Sequence, residues 1–320
     1  MIDNFIDKVI CGDCLTVLKT IPDESIDCCI TSPPYWGLRD YGVDGQLGLE
    51  KTPEEYVEKL VKIFREVRRV LKKKGTLWVV LGDSYAGSNQ GHGTKELSKK
   101  QASNIGTQWM TGKTLPRLPN GLKPKDLAGI PWRTAFALQA DGWYLRQDII
   151  WSKANPMPES IKDRCTKSHE YVFLLAKSQK YYFDSKAIRE ENSKKWTASW
   201  GDFKRKKIVA GQINNEKTKG EFDNRYRKNG RNKRSVWTIT TKPFNGAHFA
   251  VFPPDLIEPM VKAGCPKDGI VLDPFIGSGT TGLVAKKLGR NYIGIELNPE
   301  YCEMAKKRIE ESLLPLLELL

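Results

Sequence analysis

Polar and apolar positions alternate along the chain in two periods: short apolar runs that stop at polar turns, and longer stretches whose apolar residues fall three and four apart. The first pattern predicts strands and the second amphipathic helices. Val9 and Ile10 begin a strand that ends in Cys11-Gly12-Asp13, and a short helix through Leu15, Val17 and Leu18 is closed by Pro22. Residues 26–31 (IDCCIT) form a buried strand, which stops because the two prolines after Ser32 have no N–H to give to a ladder. Thr52, Pro53 and Glu55 supply an N-cap, a first-turn proline and a capping acid. Tyr56, Val57, Leu60, Ile63, Phe64, Val67, Val70 and Leu71 then share one helical face, with Gly75 as the expected stop and 76–81 (TLWVVL) as the next strand. Residues 126–139 read as a helix broken or restarted at Pro131. Residues 143–151 and 169–175 read as strands, with Tyr181, Tyr182 and Phe183 as a candidate hairpin partner. The last part predicts a helix at 255–263 closed by Gly264, a strand at 269–273, a Gly-x-Gly turn and a helix stopped by Gly289. A strand at 292–297 and a helix at 299–313 follow.

Strands alternating with helices imply an α/β chain with a mixed, mostly parallel sheet flanked by helices. Two stretches lack either period. Residues 84–124 are polar and glycine-rich, which in a loop of that length suggests a mobile flap beside a site rather than a passive insertion. Arg189 to Arg234 holds fifteen Lys/Arg against six Asp/Glu, a surplus of nine, so most of the net charge of +14 lies in one segment. Trp196, Trp200, Phe203, Phe222 and Tyr226 interrupt it, so it reads as a phosphate-gripping module rather than a disordered lysine-rich linker. Its candidate phosphate contacts are Lys204, Arg205, Lys206, Lys207, Arg225, Arg227, Arg231, Lys233 and Arg234. The expected organisation is one core made of residues 1–188 and 237–320, with a basic insert at 189–236.

The 320 residues suffice for a large α/β core, and 39% hydrophobic and 28% charged residues are ordinary for a globular protein. No apolar window is long enough to span a membrane, and the N-terminal residues lack the features of a signal peptide, so a cytoplasmic location is expected. Cys11 and Cys14 have zinc-ligand spacing, but no second pair follows and only three histidines occur. The seven cysteines therefore read as reduced thiols and no metal is expected. The apolar tail, LLPLLELL, is expected to cover the core rather than to mediate dimerisation.

Two strand ends carry candidate chemistry. At Thr31-Ser32-Pro33-Pro34-Tyr35-Trp36 the prolines leave carbonyls without ladder partners beside a hydroxyl and a large ring. Two acceptors and a π-face suit a planar base with an exocyclic amino group, although a plain proline-rich turn would have the same residues. At Asp273-Pro274-Phe275-Ile276-Gly277-Ser278-Gly279-Thr280 a strand meets a Gly-x-Gly turn and a helix, and the following strand ends in Glu296. That layout suits a nucleoside, the acid accepting ribose hydroxyls. The lysine of a P-loop and the third glycine of a dinucleotide fingerprint are missing, so a nucleoside without pyrophosphate fits better, which suggests S-adenosyl-L-methionine. Asp13 also stands at a strand's carboxyl end, where open α/β sheets bind ligands.

Together the two motifs resemble the amino-methyltransferases of DNA, in particular the N4-cytosine group in its β arrangement, with the catalytic motif first and the cofactor motif last. That arrangement implies a catalytic half at 1–188, a target-recognition region at 189–236 and a cofactor-binding half at 237–320. The resemblance implies a Rossmann-like methyltransferase fold and S-adenosyl-L-methionine as cofactor. It also implies a double-stranded DNA substrate and a functional pairing with a restriction endonuclease, the enzyme acting as monomer or dimer. It implies that Ser32 and the Pro33 carbonyl hold the target amino group, with Pro34 stiffening the turn and Tyr35 stacking on a flipped base. It further implies that Asp13 meets the adenine amino group, Glu296 the ribose, and Phe275, Gly277, Gly279 and Thr280 the methionine part, with Phe252, Asp273 and Ser278 in the same site. Relatives that methylate adenine N6 usually carry Asp or Asn where this chain has Ser32, so cytosine is favoured and N6-adenine is the alternative. Methylation of RNA or protein glutamine would explain the basic segment poorly, and a DNA-binding protein with a dead site would not bind the cofactor. No Pro-Cys dipeptide occurs, which excludes the covalent route to C5 of cytosine.

Overall fold

The computed structural model describes residues 1–86, 121–191, 230–241 and 252–317, with side chains of the last helix as far as Ser312. Most of 84–124 and the residues from Lys204 to Arg227 in the basic segment lie outside the described residues, as do the side chains of the apolar tail, whose backbone continues α6 to Leu317. The elements run β1 (Lys8–Cys11), α1 (Cys14–Leu18), β2 (Ile26–Thr31), α2 (Pro53–Val70), β3 (Leu71–Leu81), α3 (Ile130–Ala140), β4 (Tyr144–Ser152), β5 (His169–Ala176) and β6 (Val236–Thr238). They continue with α4 (Pro254–Gly264), β7 (Ile270–Asp273), α5 (Thr280–Lys287), β8 (Asn291–Glu296) and α6 (Pro299–Leu317).

Among the described residues the strands form one mixed eight-stranded sheet in the order β1-β8-β7-β2-β3-β5-β4-β6. Every pair is parallel except those that β5 makes with β3 and β4. The carboxyl ends of β1, β2, β7 and β8 therefore share one edge with the amino end of β5. β2 lies between β7 and β3 and is covered on both faces, which is why its residues read as one apolar run. Cys29 packs with Leu18, Leu60, Phe64 and Leu77 in one core layer. Helices α1, α2 and α3 pack in sequence with one another, as do α4, α5 and α6.

Several boundaries differ from the sequence reading. Helix α2 is capped as expected, the Thr52 hydroxyl accepting the Glu55 N–H at 3.1 Å, but it ends at Val70 rather than at Gly75. Leu71 is already extended and pairs with Ile26, and the ladder resumes only at Thr76 with Cys28, so Gly75 lies in a bulge inside β3. Helix α3 is not interrupted at Pro131. It begins at Ile130, where the proline occupies the first turn and the Asp83 carboxylate accepts the N–H groups of Gly129 and Ile130 at 3.1 and 3.0 Å. Tyr181, Tyr182 and Phe183 form no strand. The Tyr182 N–H meets the Lys74 carbonyl at 2.9 Å and Phe183 stacks on Trp78, centroids 6.3 Å apart. β6 had no apolar run to announce it; it pairs with β4 and buries Trp237.

Residues 1–183 and 235–320 form one compact unit and residues 184–234 a second. In the second, Glu190 and Arg231 exchange backbone hydrogen bonds of 2.9 and 2.8 Å. The Glu190 carboxylate also accepts from the guanidinium groups of Arg231 and Arg234 at 3.2 and 3.0 Å.

Candidate active site

The turn that ends β2 is fixed from below by Thr31, whose hydroxyl donates to Asp273 at 2.6 Å. That bond joins the two strand ends picked out in the sequence. Of the turn's two proline carbonyls, the one on Pro34 accepts the Tyr56 hydroxyl at 2.7 Å, whereas no donor among the described residues meets that of Pro33. Trp36 is buried and donates to the Glu50 carbonyl at 2.9 Å, which makes it a structural anchor. The Tyr35 ring rests on the end of β3: a Cβ on Gly82 would stand 2.6 Å from its Cε2, so only glycine leaves room for it. The Tyr35 hydroxyl donates to Glu170 Oε2 at 2.7 Å and receives a long hydrogen bond of 3.5 Å from the Ser32 hydroxyl. Lys153 pairs with the other Glu170 oxygen and lies 4.8 Å over the Trp151 ring. Burial, and then the Glu170 charge, push the Tyr35 phenol well above its ordinary range.

Asp273 ends β7 and is 1% exposed. Its carboxylate accepts the hydroxyls of Thr31 and Thr281, both at 2.6 Å, and the Phe275 N–H at 3.1 Å. Burial pushes its pKa up to about 6. Asp273 does not reach the cavity, and neither does Gly279. Gly279 begins α5 at φ +83°, and a Cβ there would lie 3.1 Å from the Ala305 backbone, so its smallness serves helix packing. The Ser278 and Thr280 hydroxyls each accept from Arg308 of α6 at 2.9 Å.

Glu296 ends β8 on the cavity wall. Its two oxygens accept the N–H groups of Gly277 and Asn298, each at 2.9 Å, and burial raises its pKa. Asp13 caps α1, accepting the Thr16 N–H at 2.8 Å and the Thr16 hydroxyl at 2.7 Å, and its side also faces the cavity. Both carboxylates are thus locked in position by local hydrogen bonds, leaving unused lone pairs to meet a ligand.

One cavity of about 680 Å³ joins these parts, lined by Asp13, Phe252, Phe275, Gly277, Ser278, Thr280 and Glu296 on one side and by Ser32, Pro33, Pro34 and Tyr35 on the other. The structure therefore brings the two sequence motifs into one space, except for Asp273 and Gly279. Residues 37–50, which follow the clamp turn and carry neither period, supply a further wall. There the Gln46 side chain accepts the Tyr41 N–H at 2.7 Å, and Tyr41 meets Tyr301 edge-on at 6.5 Å. Trp151, Lys153, Glu170 and Tyr301 were also missed, being single residues on, or just past, strands and helices recognised only by period. Of the candidate DNA contacts, Arg231 and Arg234 engage Glu190 with Lys233 between them, and the other six lie outside the described residues.

The cavity suits an adenosine carrying a methionine chain. It has two fixed carboxylates for amino and hydroxyl donors, the aromatic walls of Phe275 and Tyr301 for a planar base, and a volume in the range of a small-molecule site. Among the described residues no group of acids, cysteines and histidines could hold a metal ion, and no helix is long and apolar enough to cross a membrane.

Comparison with known proteins adds a family. The chain is 48% identical over 299 residues to the type II methyltransferase M.Cfr9I of Citrobacter freundii, covering 93% of this chain and 86% of that protein. It is 47% identical over 302 residues to M.SmaI of Serratia marcescens, covering 94% and 90%. Among solved structures, the PvuII DNA methyltransferase (cytosine-N4-specific) superposes with a TM-score of 0.60 at 20% identity, covering 96% of this chain and 91% of that one. The M1.HpyAVI complex with S-adenosyl-L-methionine gives 0.53 at 19%, covering 94% and 98%. These likenesses make the fold that of the methyltransferases. The family model for N6 and N4 DNA methylases matches residues 26–307, so the chain belongs to that DNA methylase family, whose members take their methyl group from S-adenosyl-L-methionine.

Proposed function

We propose that the protein methylates the N4 amino group of cytosine in a short duplex DNA sequence, as the modification enzyme of a type II restriction-modification system. The observation that carries this reading is the Ser32 hydroxyl beside the Pro33 carbonyl, which no donor among the described residues meets, two neutral acceptors on the cavity that also holds Glu296 and Asp13. An aromatic amine is a poor nucleophile because its lone pair is delocalised into the ring. Ser32 and Pro33 accepting its two hydrogens would turn the lone pair out of conjugation and aim it, so that orientation and fixed dipoles supply most of the rate. The base must leave the duplex first, and Tyr35 and its hydrogen-bonded neighbours form the wall that receives it. The names of M.Cfr9I and M.SmaI as type II methyltransferases, and the cytosine-N4 specificity printed for the PvuII enzyme, favour the same reading.

S-adenosyl-L-methionine, when bound, supplies an electrophilic methyl group. Asp13 would take its adenine amino group, Glu296 its ribose hydroxyls, and Phe275, Gly277, Ser278 and Thr280 its methionine end, with Phe252 closing the side. The basic residues of 189–236 would grip the phosphates, a contact that salt weakens steeply.

Ser32→Ala tests the reading. The transfer of labelled methyl groups to PCR-amplified, hence unmodified, genomic DNA should fall about 10²-fold or more, while calorimetric affinity for S-adenosyl-L-methionine stays within twofold. Wild-type turnover in Ser32→Ala would remove the acceptor role.

A further inference from the structure

The hydrogen bonds around Tyr35 all point one way. Ser32 Oγ donates to the Tyr35 hydroxyl, and that hydroxyl donates to Glu170 Oε2. The line therefore runs from the clamp's hydroxyl to a carboxylate, with Lys153 closing the far side on Glu170 Oε1. Glu170 sits at the amino end of β5, which reaches this edge of the sheet only because β5 runs antiparallel to its neighbours. Three carboxylates face the cavity among the described residues. Those of Asp13 and Glu296 accept backbone N–H groups, whereas the hydrogen bonds and ion pairs of Glu170 are all with side chains, one of them on the clamp.

Methylation of an amine creates a proton that must go somewhere. The nitrogen's lone pair forms the new N–C bond and the electron pair of the broken C–S bond stays on sulfur, so the nitrogen becomes cationic until it loses a hydrogen. We propose that Glu170 takes this proton, reached through Ser32 and Tyr35; the inference rests on the amino-group reading of Ser32. The N–H bond breaks with its electron pair returning to nitrogen, and the proton passes to Ser32 Oγ. The Ser32 proton moves to the Tyr35 hydroxyl and the Tyr35 proton to Glu170 Oε2, leaving both hydroxyls neutral and a carboxylic acid that later yields its proton to water. The direction is downhill, because an exocyclic ammonium regains its conjugation on losing the proton and is a far stronger acid than a carboxylic acid. Lys153 keeps the waiting carboxylate paired, and the burial that holds the phenol protonated makes Tyr35 a carrier rather than a resting base. The 3.5 Å bond from Ser32 is the loose joint, and such bonds tighten when the substrate is in place.

Glu170→Gln keeps an acceptor for Tyr35 but cannot take the proton. Single-turnover methyl transfer to PCR-amplified genomic DNA should fall about 10²-fold, with KM for DNA and calorimetric affinity for S-adenosyl-L-methionine within twofold of wild type. Tyr35→Phe, which keeps the ring and cuts the line, should lose a similar factor, and the double variant no more than either single one. Glu170→Asp should recover part of the rate; transfer by wild type should slow in D2O, and that slowing should shrink in Tyr35→Phe. Wild-type transfer in Glu170→Gln alongside an inactive Ser32→Ala would overturn the relay and leave the amino-group reading standing, whereas a fully active Ser32→Ala would overturn both. Additive losses in the double variant, or a loss that appears only in KM or cofactor affinity, would also overturn the relay by making Glu170 a structural support. If Glu170→Gln fails to fold, Tyr35→Phe decides through its isotope effect.

Discussion

Strands β7 and β8 lie side by side and each ends in a carboxylate, but the two acids have opposite fates. Asp273 turns inward, where two threonine hydroxyls and a backbone N–H consume its oxygens and bind the base-side turn to the glycine turn. Glu296, one strand over, is held by two backbone N–H groups and faces the cavity. The position of an acid at a strand's end thus says only that it is near the site. Its neighbours decide which way it faces: Thr31 and Thr281 are short donors that close over Asp273, while the turn beside Glu296 gives it main-chain N–H groups and leaves its outer side on the cavity.

Removing each acid should separate the two roles. Asp273→Ala strands two buried hydroxyls and an N–H, and should lower stability by about 3–5 kcal/mol in urea unfolding. Whatever fraction folds should keep its affinity for S-adenosyl-L-methionine; a loss of affinity at full stability would reverse the comparison. The next effect is one of pH. Burial raises the Asp273 carboxyl from 3.8 to about 6, so the folded chain holds a proton that the unfolded chain has released. This contribution is fully present below about pH 4 and is lost as pH rises through about 6. The stability of wild type relative to Asp273→Asn should therefore fall by about 3 kcal/mol across that window and be flat above it, as measured by urea unfolding at a series of pH values. Glu296→Gln should give the smallest change. Its amide nitrogen must face a backbone N–H, and affinity for S-adenosyl-L-methionine should drop about tenfold in calorimetry, some 1.4 kcal/mol. An unchanged affinity would remove Glu296 from the cofactor site.

The same contrast explains what could be read before the structure. Helix α2 announced itself through its cap and apolar stripe, and β2 through an apolar run cut by prolines, because both signals are local. The meeting of Thr31 with Asp273 spans 242 positions, and no periodicity records it. The two motifs pointed to one cavity, but not to the buried role of Asp273 or the helix-packing role of Gly279. Glu170 and Lys153 were invisible for a related reason: Glu170 is a single polar residue at the start of an apolar strand and Lys153 follows the end of β4, and only the antiparallel pairing of β4 and β5 brings them to the clamp. The bulge around Gly75 misled because a glycine after a helix ordinarily ends it, whereas here the chain passes from α2 into β3 without a loop.

The most direct test of the central claim is chemical. Genomic DNA from cells expressing the protein, digested to nucleosides and analysed by mass spectrometry, should contain N4-methyldeoxycytidine that is absent from cells expressing Ser32→Ala. N6-methyldeoxyadenosine in its place, appearing with the active protein alone, would contradict the cytosine reading of the Ser32 clamp.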